Sequence, residues 1–210
     1  MHGAGRPDAG LDAGERRYRL RCIDKLGYAL RGEESLLDVG CGDGGVARLL
    51  RERVASVVGV DIEPYDAWAD GPGLTFRVAD GEHLPFDDGS FDAVHSKDSL
   101  HHMEAPSAAL LEYRRVLRPS GVALIVEANR YNPVFYPHMT LMLGHQHFTR
   151  TRFHELVSSA FPDARFGSFE AHYAPVLSRL AGLQRDVEEL LERVRPLRPL
   201  LSYNFAVATR

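Results

Sequence analysis

Apolar residues in this chain follow two different periods, and the alternation between them predicts the class of fold. From Leu11 to Leu30 they recur every three or four residues, which predicts an amphipathic helix. After that segment, short β-branched runs alternate with helical stretches. The pattern predicts strands over 35–40, 56–61, 74–79, 91–96, 122–127, 165–172 and 200–208, and helices over 46–54, 106–117, 151–161 and 176–194. Strands and helices in this order predict an α/β domain with a doubly wound, mostly parallel sheet.

The last predicted helix carries a regular apolar stripe. Its members lie three or four residues apart, at Val176, Leu180, Leu183, Val187, Leu190 and Val194. Because a stripe with this spacing is typical of a helix face packed on a core, we expect this face to be buried.

The length of 210 residues predicts a single domain. Residues 1–10 are Gly-rich and lack apolar periodicity, so they are predicted to form a mobile tail, and residues 11–210 the domain. Prolines, histidines and aromatics interrupt the pattern over 131–148, which predicts a small, partly apolar cap on the substrate side. No repeat or low-complexity tract marks a linker between domains.

The charge and composition of the chain limit the classes of partner that it is expected to bind. A formal net charge of −4 gives no general basic field for a polyanion, so we expect a small-molecule substrate and no nucleic acid. The longest apolar stretches, such as Val122–Val126, are far shorter than the roughly 20 residues of a membrane span. Two cysteines and no predicted signal peptide favour the reducing cytoplasm. The oligomeric state stays open, with a homodimer as one candidate.

A glycine-rich turn between the first predicted strand and the following helix is the strongest local signal. The string runs Asp38-Val-Gly40-Cys-Gly42-Asp-Gly44-Gly45. Glycines let the backbone approach a ligand closely, and the N–H groups at the start of a helix suit an anionic or polar group. The string fits both G-x-G-x-G and the dinucleotide pattern G-x-G-x-x-G, so the turn alone does not choose the cofactor.

Two carboxylates near this turn help to decide which of the two cofactors the site binds. Asp61 ends the second predicted strand, at the spacing from Gly40 at which a carboxylate accepts hydrogen bonds from a ribose diol, and this suits either cofactor. Asp38 stands where a dinucleotide-binding enzyme normally has an apolar residue. A carboxylate there favours a ligand that carries an ammonium and a sulfonium.

With these features, the sequence resembles the class I S-adenosylmethionine-dependent methyltransferases, and more closely their small single-domain members that methylate metabolites. The stretches that carry the resemblance are LLDVGCGDGG, VVGVDIEP, VADGEHLPFDDGSFDAV, KDSLHHM and LLEYRRVLRPSGVALIVEANR, which cover most of residues 35–130. The resemblance implies a Rossmann-like sheet of seven strands whose last strand is antiparallel. It also implies S-adenosylmethionine as the cofactor.

The resemblance further assigns roles to particular residues. It implies that Asp38, Gly40, Gly42 and Gly44 hold the methionine part of the cofactor. It implies that Asp61 and Ile62 hold the ribose and the adenine edge, and that Asp80, Gly81 and Glu82 hold the adenine ring. Ser96, at the end of the fourth predicted strand, completes the predicted cofactor set.

The chain departs from the family pattern after Asp61. Residues 64–71, Pro-Tyr-Asp-Ala-Trp-Ala-Asp-Gly, stand where the family has a full-length helix. We therefore expect an adenine side that is more open or differently covered than usual, with Trp68 as a residue that shields it.

Methyl transfer needs an in-line approach, exclusion of water and, for a hydroxyl acceptor, a base. Histidine titrates near neutrality, and we prefer His101 as the base, with His147 second. Asp98 and Glu127 are the alternatives for a hydroxyl acceptor. Structural interpretations compete with these roles, because a histidine here could only cap or pack the following helix. The cap histidines lack regular ligand spacing, so no metal is predicted.

The sequence therefore predicts methyl transfer to a hydroxyl or carboxyl oxygen of a small, partly apolar metabolite. An N-methyltransferase of a small molecule and a non-catalytic S-adenosylmethionine-binding protein share every cofactor residue. An NAD-dependent oxidoreductase shares the glycine turn and Asp61 but leaves Asp38 and the loop at Asp80 unexplained. The Asn/Asp-Pro-Pro-aromatic motif of nucleic-acid amino methyltransferases is absent from the sequence.

Overall fold

The computed structural model of the chain describes residues 11–133, 147–171 and 181–210. Its strands are β1 (Ser35–Val39), β2 (Ser56–Asp61), β3 (Leu74–Val78), β4 (Phe91–Lys97), β5 (Leu117–Ala128), β6 (Arg165–Phe169) and β7 (Tyr203–Thr209). Its α-helices are α1 (Ala13–Asp24), α2 (Gly45–Arg51), α3 (Pro106–Val116), α4 (Arg150–Ala160) and α5 (Ala181–Arg193). Short 3₁₀ helices cover Leu100–His102 and Arg195–Leu200.

All seven strands form one sheet in the order β3-β2-β1-β4-β5-β7-β6. The pairs from β3 across to β5 are parallel, whereas β7 is antiparallel to both β5 and β6. The predicted fold, with its antiparallel last strand, is therefore confirmed. The strands β2 and β3 lie on one side of β1, whereas β4 lies on its other side, so the strand order switches sides between β1 and β4. Ligands of open α/β sheets bind outside the carboxyl ends of the strands at such a switch point.

Apolar side chains on the two faces of the sheet build two cores. Along β1, Leu37 and Val39 face the core that contains α3 and α4, and Leu36 faces the core that contains α1 and α2. This alternation follows from the two-residue period of a strand. Because both faces are covered, β1 reads as a nearly continuous apolar run, interrupted by Asp38.

Element boundaries differ from the prediction where glycine and proline intervene. Helix α1 begins after Asp12, whose side chain accepts hydrogen bonds from two backbone N–H groups, and ends at Asp24 rather than Leu30. Gly27 follows with φ +61°, a left-handed conformation that a helix cannot continue. The last strand begins at Tyr203 because the preceding 3₁₀ helix contains two prolines.

The expectation that the apolar stripe of α5 is buried is wrong for its described members. Leu183 and Leu190 are each 60% exposed, and Val187 and Val194 are also exposed. The opposite face of α5 is fixed to α1 by ion pairs, of which the pair between Glu188 and Arg21 measures 2.8 Å. Since the acidic face points inward, the apolar stripe points outward; Val176 and Leu180 lie outside the described residues.

The predicted tail and most of the predicted cap also lie outside the described residues. Of the cap, the structure describes 131–133 at one end and 147–148 at the other. Asn132 is buried at the first end, where its side chain donates a hydrogen bond of 2.9 Å to the carbonyl of Leu200. In the described part of the chain, no helix has the length and apolar character needed to cross a membrane.

Candidate active site at the sheet switch point

A cavity of about 760 Å³ opens at the carboxyl ends of β1, β2 and β4. This volume lies within the roughly 300–1,000 Å³ of typical small-molecule sites. Seven of the ten predicted cofactor residues lie on its wall, namely Gly40, Gly42, Asp61, Ile62, Asp80, Gly81 and Glu82. The fold thus brings together three loops that are far apart in the sequence.

The glycine turn owes its shape to left-handed backbone angles. Gly40, Gly42 and Gly44 have φ of +71°, +53° and +79°. A Cβ at Gly40 would lie 2.2 Å from the Oγ of Ser99, so the turn packs directly against the segment after β4. A Cβ at Gly42 would meet no atom within 4 Å, because this residue faces the open cavity.

Asp61 ties the turn to the end of β2. Its Oδ2 accepts a hydrogen bond from the N–H of Gly42 at 2.8 Å, and its Oδ1 accepts one from the N–H of Ile62 at 2.8 Å. These bonds fix the carboxylate on the cavity wall. Since each carboxylate oxygen has a second lone pair, both can still accept a bond from a ligand.

Three predicted cofactor residues lie behind the wall rather than on it. Ser96 is fully buried, and its Oγ accepts a hydrogen bond from the hydroxyl of Tyr113 at 3.2 Å. Gly44 is the N-cap of α2, and a Cβ there would meet the ring of Phe76. These two positions support the site from behind, and neither is among the described residues of the cavity wall.

The third of these residues, Asp38, is 2% exposed. Its Oδ1 lies 2.7 Å from Nδ1 of His95, on the neighbouring strand β4. Its Oδ2 is buried and has no hydrogen-bond partner within the described residues. A buried carboxylate oxygen without a partner is costly, and a cationic ligand group nearby offsets that cost.

Sequence reasoning missed part of the wall. Tyr65, rather than Trp68, lies on it, so the expected shielding by Trp68 is wrong. The indole Nε1 of Trp68 instead donates a hydrogen bond of 2.7 Å to the carbonyl of Gly42. Met103 and Glu104 were also missed, and their position shortly after β4 was the available signal.

The described wall is strongly acidic. It contains the carboxylates of Asp61, Asp80, Glu82, Asp98 and Glu104, and no lysine or arginine among its described residues. A hydrogen bond from the N–H of Glu82 and another from His83 lower the pKa of Asp80 below its ordinary range. The cavity therefore favours a ligand with positive charge.

His101 and Glu127 form a buried pair beside the cavity. The Nδ1 of His101 lies 2.7 Å from Oε2 of Glu127, and the two side chains are 3% and 1% exposed. The Oε1 of Glu127 accepts hydrogen bonds from the N–H groups of Ser99 and Leu100 at 3.0 and 2.8 Å. This carboxylate therefore holds both the imidazole and the backbone at the end of β4.

The environment shifts the titration of this pair. Burial alone lowers the pKa of His101, but the hydrogen bond to Glu127 and its negative charge outweigh burial and raise that pKa above the ordinary 6.5. Burial raises the pKa of Glu127, while the bond to His101 acts in the opposite direction. With Nδ1 directed at the carboxylate, Nε2 of the neutral imidazole is the atom able to take a proton.

Three histidine rings meet at this point. The ring of His101 lies 4.0 Å from that of His102 and 4.4 Å from that of His147, measured between centroids. His102 lies on the cavity wall, whereas the predicted bases His101 and His147 are not among the described wall residues and contact that wall through the ring of His102 or of each other. Of the other cap histidines, His138 and His145 lie outside the described residues, and no metal-binding cluster occurs among the residues that are described.

Comparison with known proteins agrees with this geometry. Residues 37–125 match the family model described as a methyltransferase domain. An uncharacterized methyltransferase of Synechocystis is 31% identical over 137 residues, covering 62% of this chain and 64% of that protein. Tocopherol O-methyltransferase of Arabidopsis thaliana is 33% identical over 146 residues, covering 60% of this chain and 42% of that protein. The chain thus spans less than two thirds of either curated relative.

Solved structures share the fold over nearly the whole chain. A structure of an S-adenosylmethionine-dependent methyltransferase from Mesorhizobium loti superposes with a TM-score of 0.65 at 19% identity, covering 92% of this chain and 98% of that one. The matched domain spans β1 to the middle of β5, the part of the sheet that carries the cavity. As the resemblance of its glycine turn and following strands predicted, residues 37–125 match a methyltransferase domain, and the chain has the fold of the class I S-adenosylmethionine-dependent methyltransferases.

Proposed function

We propose that this protein transfers a methyl group from S-adenosylmethionine to an oxygen atom of a small, partly apolar acceptor. The observation that carries the proposal is the buried pair of His101 and Glu127 beside the cavity, with 2.7 Å between Nδ1 and Oε2. An oxygen acceptor that reacts as a hydroxyl must lose a proton, and a carboxylate-held imidazole is suited to take it.

The cavity fits the cofactor of the family. S-adenosylmethionine supplies a methyl group on a positively charged sulfur and also carries an ammonium group on its amino-acid part. The acidic wall favours that charge, and the open space at Gly42 admits a ligand close to the backbone. The same wall disfavours the pyrophosphate of NAD, because no described wall residue is a lysine or arginine.

We propose that the residues predicted from the sequence to bind the cofactor contact its successive parts along the cavity. The glycine turn would hold the methionine part, Asp61 the ribose diol, and Asp80 with Glu82 the adenine end. Asp38 would act on the methionine part from behind the wall, through its free and buried Oδ2.

An apolar acceptor is supported by two observations. Tyr131 is 57% exposed at the described edge of the predicted cap, where an apolar ligand would cover it. The name of the Arabidopsis relative denotes O-methylation of tocopherol. Methylation of a nitrogen or a carbon, or binding of the cofactor without turnover, are the alternative outcomes.

The acceptor atom is tested with matched compounds. Purified protein and S-adenosylmethionine labelled in the methyl group are incubated with a phenol, the corresponding aniline and the corresponding methyl ether. We expect label on the phenol alone. Label on the aniline, or on a ring carbon, would contradict O-methylation, and no transfer to any acceptor of a broad panel would favour a binding protein.

The pH dependence of the rate tests the base. Only the neutral imidazole accepts a proton, and the pKa of His101 is raised above 6.5, so the rate should fall as pH decreases through a value above 6.5. The measurement is the initial rate with the active phenol at saturating cofactor. A rate that is flat from about pH 6 to 9 for a phenol that stays un-ionised in this range would contradict the role of His101.

Replacing Asp61 by alanine should weaken binding of S-adenosylhomocysteine by about 1.5–3 kcal/mol, the range for hydrogen bonds to a charged group. The loss has two sources, since the carboxylate is proposed to hold the ribose and also holds the N–H of Gly42. Calorimetry gives the affinity, and Asp70→Ala serves as the control, because Asp70 bonds the N–H of Phe76 outside the described wall. An unchanged affinity in folded Asp61→Ala protein would remove Asp61 from the cofactor site.

A further inference from the structure

Lys97 lies in an aromatic enclosure under helix α1. Its Nζ lies 4.6 Å from the ring centre of Tyr203 and 5.8 Å from that of Tyr18, distances at which a cation is attracted to the ring face. The hydroxyls of the two tyrosines lie 2.5 Å apart, and Nζ lies 3.4 Å from the hydroxyl of Tyr203. Lys97 is not part of the described cavity wall, so its charge acts through a neighbour.

That neighbour is Asp98, which does lie on the wall. Lys97 donates a hydrogen bond to Oδ2 of Asp98, and the N–H of Ala128 donates one to Oδ1 at 2.9 Å. Asp98 has φ +53°, a left-handed conformation that is uncommon for a residue other than glycine. Strained conformations of this kind persist where surrounding contacts hold them, and they concentrate at functional sites.

Asp98 lies at a defined end of the cavity. The next residue, Ser99, packs closely against the glycine turn, since a Cβ added to Gly40 would lie 2.2 Å from the Oγ of Ser99. Asp80 and Glu82 lie in the separate loop after β3, which is proposed to hold the adenine. Asp98 is therefore at the end where the glycine turn would hold the methionine part of the cofactor.

We infer that Lys97 is a positioning residue that holds the carboxylate of Asp98 toward the charged amino-acid part of S-adenosylmethionine. Without Lys97, the side chain of Asp98 loses a hydrogen bond that stabilises its partly buried charge and helps to hold the strained backbone of this residue. The inference rests on the proposed placement of S-adenosylmethionine in the cavity, and not on the proposed acceptor or base. It also gives helix α1 a part in the site, since Tyr18 closes the enclosure around Lys97.

Two ligands that differ in the amino-acid part test this inference. S-adenosylhomocysteine contains that part, and 5′-methylthioadenosine lacks it. Calorimetry with both ligands is applied to the unchanged protein and to Asp98→Asn and Lys97→Met. We expect each variant to bind S-adenosylhomocysteine roughly 10–100-fold more weakly, the size of a hydrogen bond to a charged group, and methylthioadenosine with nearly unchanged affinity. The double variant should be no weaker than Asp98→Asn, because Lys97 acts through Asp98.

The chain offers a matched control, because Lys25 is its other lysine. Lys25 also links α1 to acidic side chains, through a 2.6 Å ion pair with Glu192, but it lies outside the described wall. Lys25→Met should bind both ligands normally, and Lys97→Arg, which keeps the charge, should recover most of the affinity for S-adenosylhomocysteine.

Three results would overturn the inference. They are normal binding of S-adenosylhomocysteine by Lys97→Met, equal weakening of both ligands by Asp98→Asn, and additive losses in the double variant. If Lys97→Met does not fold, Lys97→Gln replaces it, and the ratio of the two affinities within one variant corrects for a partly unfolded population. Failure of the unchanged protein to bind either ligand would instead contradict the cofactor assignment.

Discussion

Replacing Gly42 by valine is expected to abolish detectable binding of S-adenosylhomocysteine while the domain still folds. Gly42 has φ +53° and faces open cavity, so a branched side chain would fill the space that the ligand needs. It would also strain the turn, since a left-handed conformation costs an ordinary residue roughly 1–2 kcal/mol. Loss of affinity by more than about 100-fold, or 2.7 kcal/mol, is the expected result in calorimetry.

Gly32 provides the matched control for this variant. It also has a positive φ, +94°, and a Cβ there would meet no atom within 4 Å, but it lies outside the described wall of this cavity. Gly32→Val should carry a comparable backbone strain and bind the ligand normally. Thermal melting compares the stability of the two variants. Normal binding by folded Gly42→Val would place the cofactor elsewhere.

Replacing His101 by alanine is expected to lower the rate of methyl transfer by roughly 10²–10⁴-fold, the usual contribution of a positioned base. Affinity for S-adenosylhomocysteine should hardly change, because His101 is not among the described wall residues proposed to hold the cofactor and lies outside the glycine turn. His147→Ala tests the second predicted base, whose ring lies 4.4 Å from that of His101. Initial rates with the active phenol, at saturating cofactor, give the comparison.

His154 serves as the control for both histidine variants. Its ring stacks on Phe166 at 4.1 Å between centroids, and it is not part of the described wall. His154→Ala should reduce stability through lost packing and leave the rate per folded molecule unchanged. If His101→Ala and His147→Ala both turn over at the unchanged rate, proximity alone drives transfer. The remaining candidates would then be an amine, an oxygen that is already ionised, or a hydroxyl served by Asp98 or Glu127.

The local sequence determined the framework of the site. The glycine turn could be recognised because left-handed backbone angles restrict the residue type, and here Gly40 and Gly42 adopt them. Asp61 could be placed because the end of a parallel strand fixes the edge of the sheet at which its side chain lies. The alternation of strands and helices predicted a mostly parallel sheet, and the family resemblance implied its antiparallel last strand.

Only the tertiary structure decided which side chains line the cavity. His101 and His102 are adjacent in the sequence, yet His102 reaches the wall and His101 pairs with Glu127, a residue 26 positions away. The inward face of α5 was likewise decided at long range, by an ion pair between Glu188 and Arg21, 167 positions apart. Apolar periodicity shows that a helix is amphipathic, but contacts between distant residues determine which of its faces is covered.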